Sequence, residues 1–149
     1  MRLSKRSEYG LRAALQLAAS YSNGFLQTRE LSRREDLPNK FLESILRGMK
    51  SAGLLVSKVG AAGGYRLAEP PDAIGVGALV RVLEGQLVNP DLLEQPRNPA
   101  NTEAGKLGLH LLAKRVEGSL AEVIDDLSLA DLLDEARRFQ GDNQTMYYI

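Results

Sequence analysis

The chain holds a single histidine, His110, and no cysteine. That inventory removes disulfides, thiolate metal sites and thiol redox chemistry. One imidazole without clustered carboxylates leaves few groups for acid–base or nucleophilic work, so no enzymatic activity is expected. The stretch "KVGAAGGYRLA" (58–68) is the other place where chemistry could sit, because glycine-rich loops cradle phosphates. A P-loop needs its glycines between a strand and a helix, with Lys and Ser/Thr at the end. A dinucleotide loop needs G-x-G-x-x-G opening a helix. Here Gly60, Gly63 and Gly64 run into Tyr65-Arg66-Leu67, which alternates like a strand. A hairpin turn is the better reading, since glycines supply the positive φ that such turns require. Their bare backbone also allows close approach to another surface.

Charge supplies the second chemical signal. Residues 1–68 carry 12 Lys and Arg against 5 Asp and Glu, whereas residues 69–149 carry 7 against 14. A basic half joined to an acidic half suggests that one end meets a polyanion, against the simpler reading of chance segregation.

These groups are positioned by short elements. Ser4 caps a first helix that "SNG" (22–24) stops. "TRELSRRED" forms a second, with Thr28 as its candidate cap, and "LPNKFLESILRGMKSAG" a third, with Pro38 in its first turn and Gly53 at its end. Leu42, Ile45, Leu46 and Met49 make the apolar stripe of the third helix. The pair is a helix-turn-helix candidate, or else an ordinary helical hairpin. "LLVSK" (54–58) and "YRLA" (65–68) then flank the glycine loop at hairpin spacing, and "VGALVRVLEG" gives a fourth helix. This order is that of a winged helix-turn-helix. The core must be built from Leu, Ile, Val and Ala, because aromatics are few.

Residues 85–101, rich in Pro and Asn, read as a linker. A long amphipathic helix follows within 102–127. Its seam is Leu109, Leu112, Val116, Leu120, Val123 and Leu127, spaced as in a coiled coil. Gly105, Gly108 and Gly118 each cost this helix about 1 kcal/mol against Ala, so it should be packed. "SLAD" (128–131) resembles a capping box opening a short last helix through about Gln140. The tail 141–149 shows no periodicity. The expected organisation is mainly α: a winged helix-turn-helix domain (1–84), a linker (85–101), a dimerisation helix with a short C-terminal helix (102–140), and a tail (141–149). No apolar run approaches the roughly 20 residues of a membrane helix, and no signal-peptide pattern opens the chain, so a cytoplasmic location without membrane contact is expected.

The runs "MRLSKRSEYGLRAALQLA", "ELSRREDLPNKFLESILRGMKSAGLL" and "GAAGGYRLAEPPDAIGVGALVRVLEG" resemble the Rrf-two family of bacterial transcription regulators, over residues 1–85 nearly without gaps. The part after residue 101 resembles it more loosely. The resemblance implies a homodimer on double-stranded DNA, with the third helix in a major groove, the wing near the adjacent minor groove, and the long helices crossing. Many members bind an iron–sulfur cluster through three cysteines in the loop before the long helix. This loop has none, so a conventional cluster is excluded by its ligand chemistry and no cofactor is expected. His110 falls about where one member has a histidine ligand. Asp91, Glu94 and Glu103 could join it at a metal, but a lone histidine on a helix is more often a surface or interface residue. Relatives often carry an arginine before the first wing glycine, suited to a narrow minor groove; here Val59 stands there.

Phosphate contacts are expected from Arg2, Lys5, Arg6, Arg33, Arg34, Arg47, Lys50 and Lys58, with the N–H groups near Thr28 and the backbone from Gly60 through Gly64, Gly63 included. Base reading is expected from Asn39, Lys40, Glu43 and Ser44, after Pro38, with Phe41 either on a thymine methyl or in the core. Together these give a sequence-specific regulator that is a homodimer on a pseudo-palindrome, with its effector open. The alternative is a winged-helix protein-interaction module that uses the long helix without binding DNA.

Overall fold

The computed structural model describes residues 2–147, with side chains through Asp142. Helix α1 (Lys5–Ala19) begins where Ser4 Oγ accepts the Ser7 N–H at 3.2 Å. Helix α2 (Thr28–Glu35) ends at Asp36, whose φ of 52° is left-handed, and α3 (Asn39–Ser51) starts two residues beyond Leu37. This turn is clamped from α1. Arg12 donates to the Glu35 carboxylate at 3.0 Å and also to its carbonyl, and Gln16 donates to the same carboxylate at 2.7 Å. Helix α3 closes in a Schellman arrangement: Gly53 N–H reaches Lys50 O at 2.9 Å and Leu54 N–H reaches Met49 O at 3.0 Å, with Gly53 at φ +81°.

Strands β1 (Leu55–Lys58) and β2 (Gly64–Leu67) form the antiparallel wing, in register Leu55↔Leu67 through Lys58↔Gly64. Leu55 and Leu67 point into the core. A third segment joins them. Leu26 exchanges both backbone hydrogen bonds with Tyr65, at 2.9 and 2.8 Å, tying the wing to the residue two positions before α2. Leu17, Leu31, Leu42, Ile45, Leu46 and Met49 fill the centre, as the α3 stripe requires.

Helix α4 (Val76–Glu84) crosses α1 at Gly10, where a Cβ would meet the Leu83 side chain at 2.5 Å. The Glu84 carboxylate accepts from Ser4 N–H at 3.0 Å, Ser4 Oγ at 2.7 Å and Ser7 Oγ, latching the end of α4 onto the start of α1. The linker is not featureless. It contains the single-turn helix α5 (Pro90–Leu93) and a 3₁₀ turn at Pro99–Asn101, each begun by a proline in its first turn, where the missing N–H has no helical partner to lose. Helix α6 (Ala104–Asp125) packs on α4 and is pinned at its end by Arg81, which grips Asp125 at 2.5 and 3.2 Å.

The capping box at 128–131 forms: Ser128 N–H donates to Asp131 at 2.9 Å, and Asp131 N–H to Ser128 Oγ at 3.0 Å. It opens α7, which runs Leu129–Tyr147. The last helix is therefore longer than the end near Gln140 that the sequence suggests. Gly141 weakens a helix by only about 1 kcal/mol and does not break one already nucleated and docked. Among the described residues, no helix is long and apolar enough to cross a membrane.

Candidate nucleic-acid interface

The first two turns of α3 present Asn39, Lys40 and Ser44 to solvent, because Leu42, Ile45, Leu46 and Met49 occupy the opposite stripe. Asn39 Nδ2 donates to Glu43 Oε1 at 3.3 Å, one turn along the same face. Pro38 stands at the N-cap rather than inside the first turn: its ψ of 119° is extended, and it offers no side-chain acceptor. Phe41 is neither fully buried nor fully free. Its ring meets Tyr9 edge-on at 5.6 Å while remaining partly exposed.

Thr28 is not the cap of α2. Gln27 holds the extended N-cap conformation, and its side chain does not cap the helix; it reaches across to the wing and donates to Ala61 O at 2.6 Å. The opening N–H groups of α2 thus lack a side-chain acceptor, an arrangement that suits a phosphate oxygen.

In the wing, the glycines divide by task. Gly60, at φ +112°, has open space around it. Gly63 is buried inside the turn. Its N–H donates to Gly60 O at 3.0 Å, and a Cβ there would lie 2.0 Å from Lys58 O. Gly64 lies against the backbone of Leu26 and Gln27. Close approach at 63 and 64 is therefore used within the protein, leaving the 59–62 tip as the outward surface. Val59 stands there 97% exposed, beside exposed Lys58.

The cations separate by their partners. Arg33 and Arg34 share Glu30 at 2.7 and 2.8 Å, and Arg34 also reaches Ser20 Oγ. The two guanidinium groups hold the Glu30 carboxyl down at about 2. Lys5 pairs with Glu8, and Lys50 donates to Ser57 Oγ at 2.6 Å, linking α3 to β1. The Arg6 guanidinium lies against Gly48 of α3. Arg2 borders a groove with Glu84, Leu87, Val116 and Leu120, on the α6 side. Among the described residues, Lys40, Arg47 and Lys58 have neither ion pair nor side-chain hydrogen bond and stay exposed. Arg29, in the first turn of α2, is equally unengaged, and nothing in "TRE" distinguishes it in the sequence. Arg66 has no sequence signal either. Its guanidinium sits over the Phe25 and Tyr21 rings at 5.1 and 5.7 Å, on the outer face of the wing.

Away from this surface, α6 carries an uncovered apolar stripe. Leu109, Leu112, Val116 and Val123 are 48, 58, 43 and 69% exposed, with half-buried Leu120 beside them. Leu127 does not belong to the stripe. Helix α6 stops at Asp125, and the Gly75–Ser128 bridge draws the next residues onto the core. Leu127 packs there, and its carbonyl accepts the Val76 N–H at 2.7 Å. Gly105, Gly108 and Gly118 have open space where a Cβ would be.

His110 is buried, with Nδ1 2.9 Å from Leu92 O. Among the described residues, no three His, Cys, Asp or Glu side chains gather to hold a metal, so Asp91, Glu94 and Glu103 do not form a ligand set with it.

Comparison with known proteins agrees with this geometry. The Rrf2 family, described as "Iron-dependent Transcriptional regulator", matches residues 3–135. The transcriptional regulator CymR of Bacillus subtilis is 33% identical over 150 residues, covering 100% of both chains. Its solved structure, that of a global cysteine regulator, superposes with a TM-score of 0.75 at 30% identity, over 91% of this chain and 98% of its own. The structure of T. potens IscR gives 0.75 at 31% identity, over 94% and 91%. The chain has no cysteine, so a thiolate-ligated iron site has no ligands here. The wing, the helix-turn-helix and these matches together show that the chain belongs to the Rrf2 family of winged-helix, DNA-binding transcription regulators and is not an enzyme.

Proposed function

We propose that the chain acts as a homodimer that binds a pseudo-palindromic operator sequence-specifically, without a cysteine-ligated cluster. The observation that carries the reading is the α6 stripe. Four large apolar side chains stand exposed along one helix face, at the spacing of a helix–helix seam. A second copy of the same helix would cover them and set two α3 helices toward one duplex. Lys40 and Asn39, ahead of the core stripe, are placed to meet base edges, with Asn suited to adenine and Lys to guanine. Arg47, Lys58 and the open N–H groups of α2 are placed to meet phosphates. Val59 at the tip leaves the wing on the DNA backbone rather than reading a narrow minor groove.

Genome-wide mapping of bound fragments, with anisotropy on the recovered sites, tests this reading. Discrete sites, with binding that weakens steeply in salt, are expected because several phosphates are neutralised. Binding to no genomic fragment would favour a protein-interaction module instead.

A further inference from the structure

The linker and the start of α6 border a half-open pocket of about 290 Å³, lined by Asp91, Leu92, Glu94, Lys106, Leu109 and His110 among others. His110 is only 8% exposed and is the single histidine of the chain. The Leu92 carbonyl opposite its Nδ1 can only accept, so Nδ1 carries the proton. In the neutral ring Nε2 is then a lone-pair acceptor, and among the described residues no protein donor satisfies it. The wall therefore offers an imidazole acceptor, two exposed carboxylates and one exposed ammonium. Groups of both charges beside an imidazole and two leucines suit an organic ligand, and among the described residues no three donors gather on a metal ion.

We propose that this pocket binds a small zwitterion: a free α-amino acid, or a molecule with the same ammonium–carboxylate pair. Its ammonium would donate to His110 Nε2 and to the Asp91 and Glu94 carboxylates. Its carboxylate would meet Lys106, and its side chain would lie on Leu92 and Leu109. The volume suits a metabolite, being at the lower end of ligand pockets. Leu109 belongs both to this wall and to the α6 stripe, so occupancy reaches the surface where a second copy would dock. The regulatory use of the site rests on the homodimer reading above; binding itself does not.

The single histidine makes the test direct. In the ¹⁵N-labelled full chain, imidazole ¹H–¹⁵N correlations report His110 alone. The free protein should show the Nδ1–H tautomer. The standard α-amino acids are titrated in pools and then singly, to about 10 mM, well above a millimolar Kd. Putrescine and acetate serve as half-ligands, and Zn²⁺ as the metal probe. At least one amino acid should shift the His110 signals saturably, with both half-ligands at least about tenfold weaker, a difference of about 1.4 kcal/mol. Lys106→Ala and Asp91→Asn, both at exposed positions, should weaken that binding about tenfold or more while leaving the fold intact. The proposal is overturned if no amino acid shifts His110, if the shift is unchanged in both variants, or if only Zn²⁺ produces it. Sedimentation without ligand reads the dimer separately, so the two ideas can fail independently.

Discussion

Replacing Gly64 with alanine tests how the wing is anchored. Gly64 has φ +132°, and a Cβ there would lie 2.2 Å from Leu26 O, 2.4 Å from Leu26 C and 2.7 Å from Gln27 N. All three are backbone atoms and cannot rotate aside. The two Leu26–Tyr65 hydrogen bonds must therefore open. Forcing an L-residue into that conformation costs about 1–3 kcal/mol, and each lost hydrogen bond about 1 kcal/mol. The sum, about 3–5 kcal/mol, is a large part of a typical domain stability of about 5–15 kcal/mol. The helices should survive while the wing comes away from the start of α2. Gly60→Ala is the matched control: its φ is +112°, but nothing lies within 4 Å, so only the strain of about 1–3 kcal/mol applies. Urea unfolding combined with amide exchange at Leu26 and Tyr65 distinguishes the two. Gly64→Ala should lose protection at both amides, and Gly60→Ala should keep it. Protected amides and an unchanged midpoint in Gly64→Ala would refute this anchoring.

The remaining predictions concern recognition, assembly and acid stability. Lys40→Ala should lower affinity for the operator more than for random DNA, by about 1–3 kcal/mol, whereas Arg47→Ala should weaken both alike; paired anisotropy titrations decide this. Leu112→Asp places a charge on the α6 stripe and should give monomers by sedimentation velocity with unchanged helical circular dichroism, since Leu112 is exposed in the protomer. Hydrogen bonds from Ser7 and Ser4 hold the Glu84 carboxyl below its ordinary value of 4.5, so its contribution is complete above that pH and is lost as pH falls toward the folded value. Glu84→Gln should therefore be less stable near neutrality and show a shallower decline below pH 4.5, read by unfolding at a series of pH values.

Local chemistry explains which features were legible in the sequence. Ser4, Gly53 and the Ser128/Asp131 pair act within one turn of themselves, so type and spacing suffice to identify them. The wing was legible because glycines between alternating runs have few other uses. Leu26 was not, since a single bridging residue has no periodicity; its pairing with Tyr65 depends on tertiary placement. The same holds for Gln27, which takes the cap position from Thr28 while its side chain goes to Ala61. Leu127 continues the heptad spacing in sequence, but the chain turns at Asp126 and spends it on the core. The exposed recognition residues were legible by subtraction, once the α3 stripe was assigned. The ion pairs that engage Arg33 and Arg34 depend on Glu30 one turn earlier, and they shift the expected phosphate contacts toward Arg47 and Lys58.

Selection of bound sequences from random DNA, followed by sedimentation of the complex, tests the central claim most directly. A dimer with two recognition helices predicts an enriched pseudo-palindrome with half-sites about one helical turn, roughly 34–36 Å, apart, occupied by two protomers. Enrichment of no motif, or a single half-site occupied by one protomer, would contradict it.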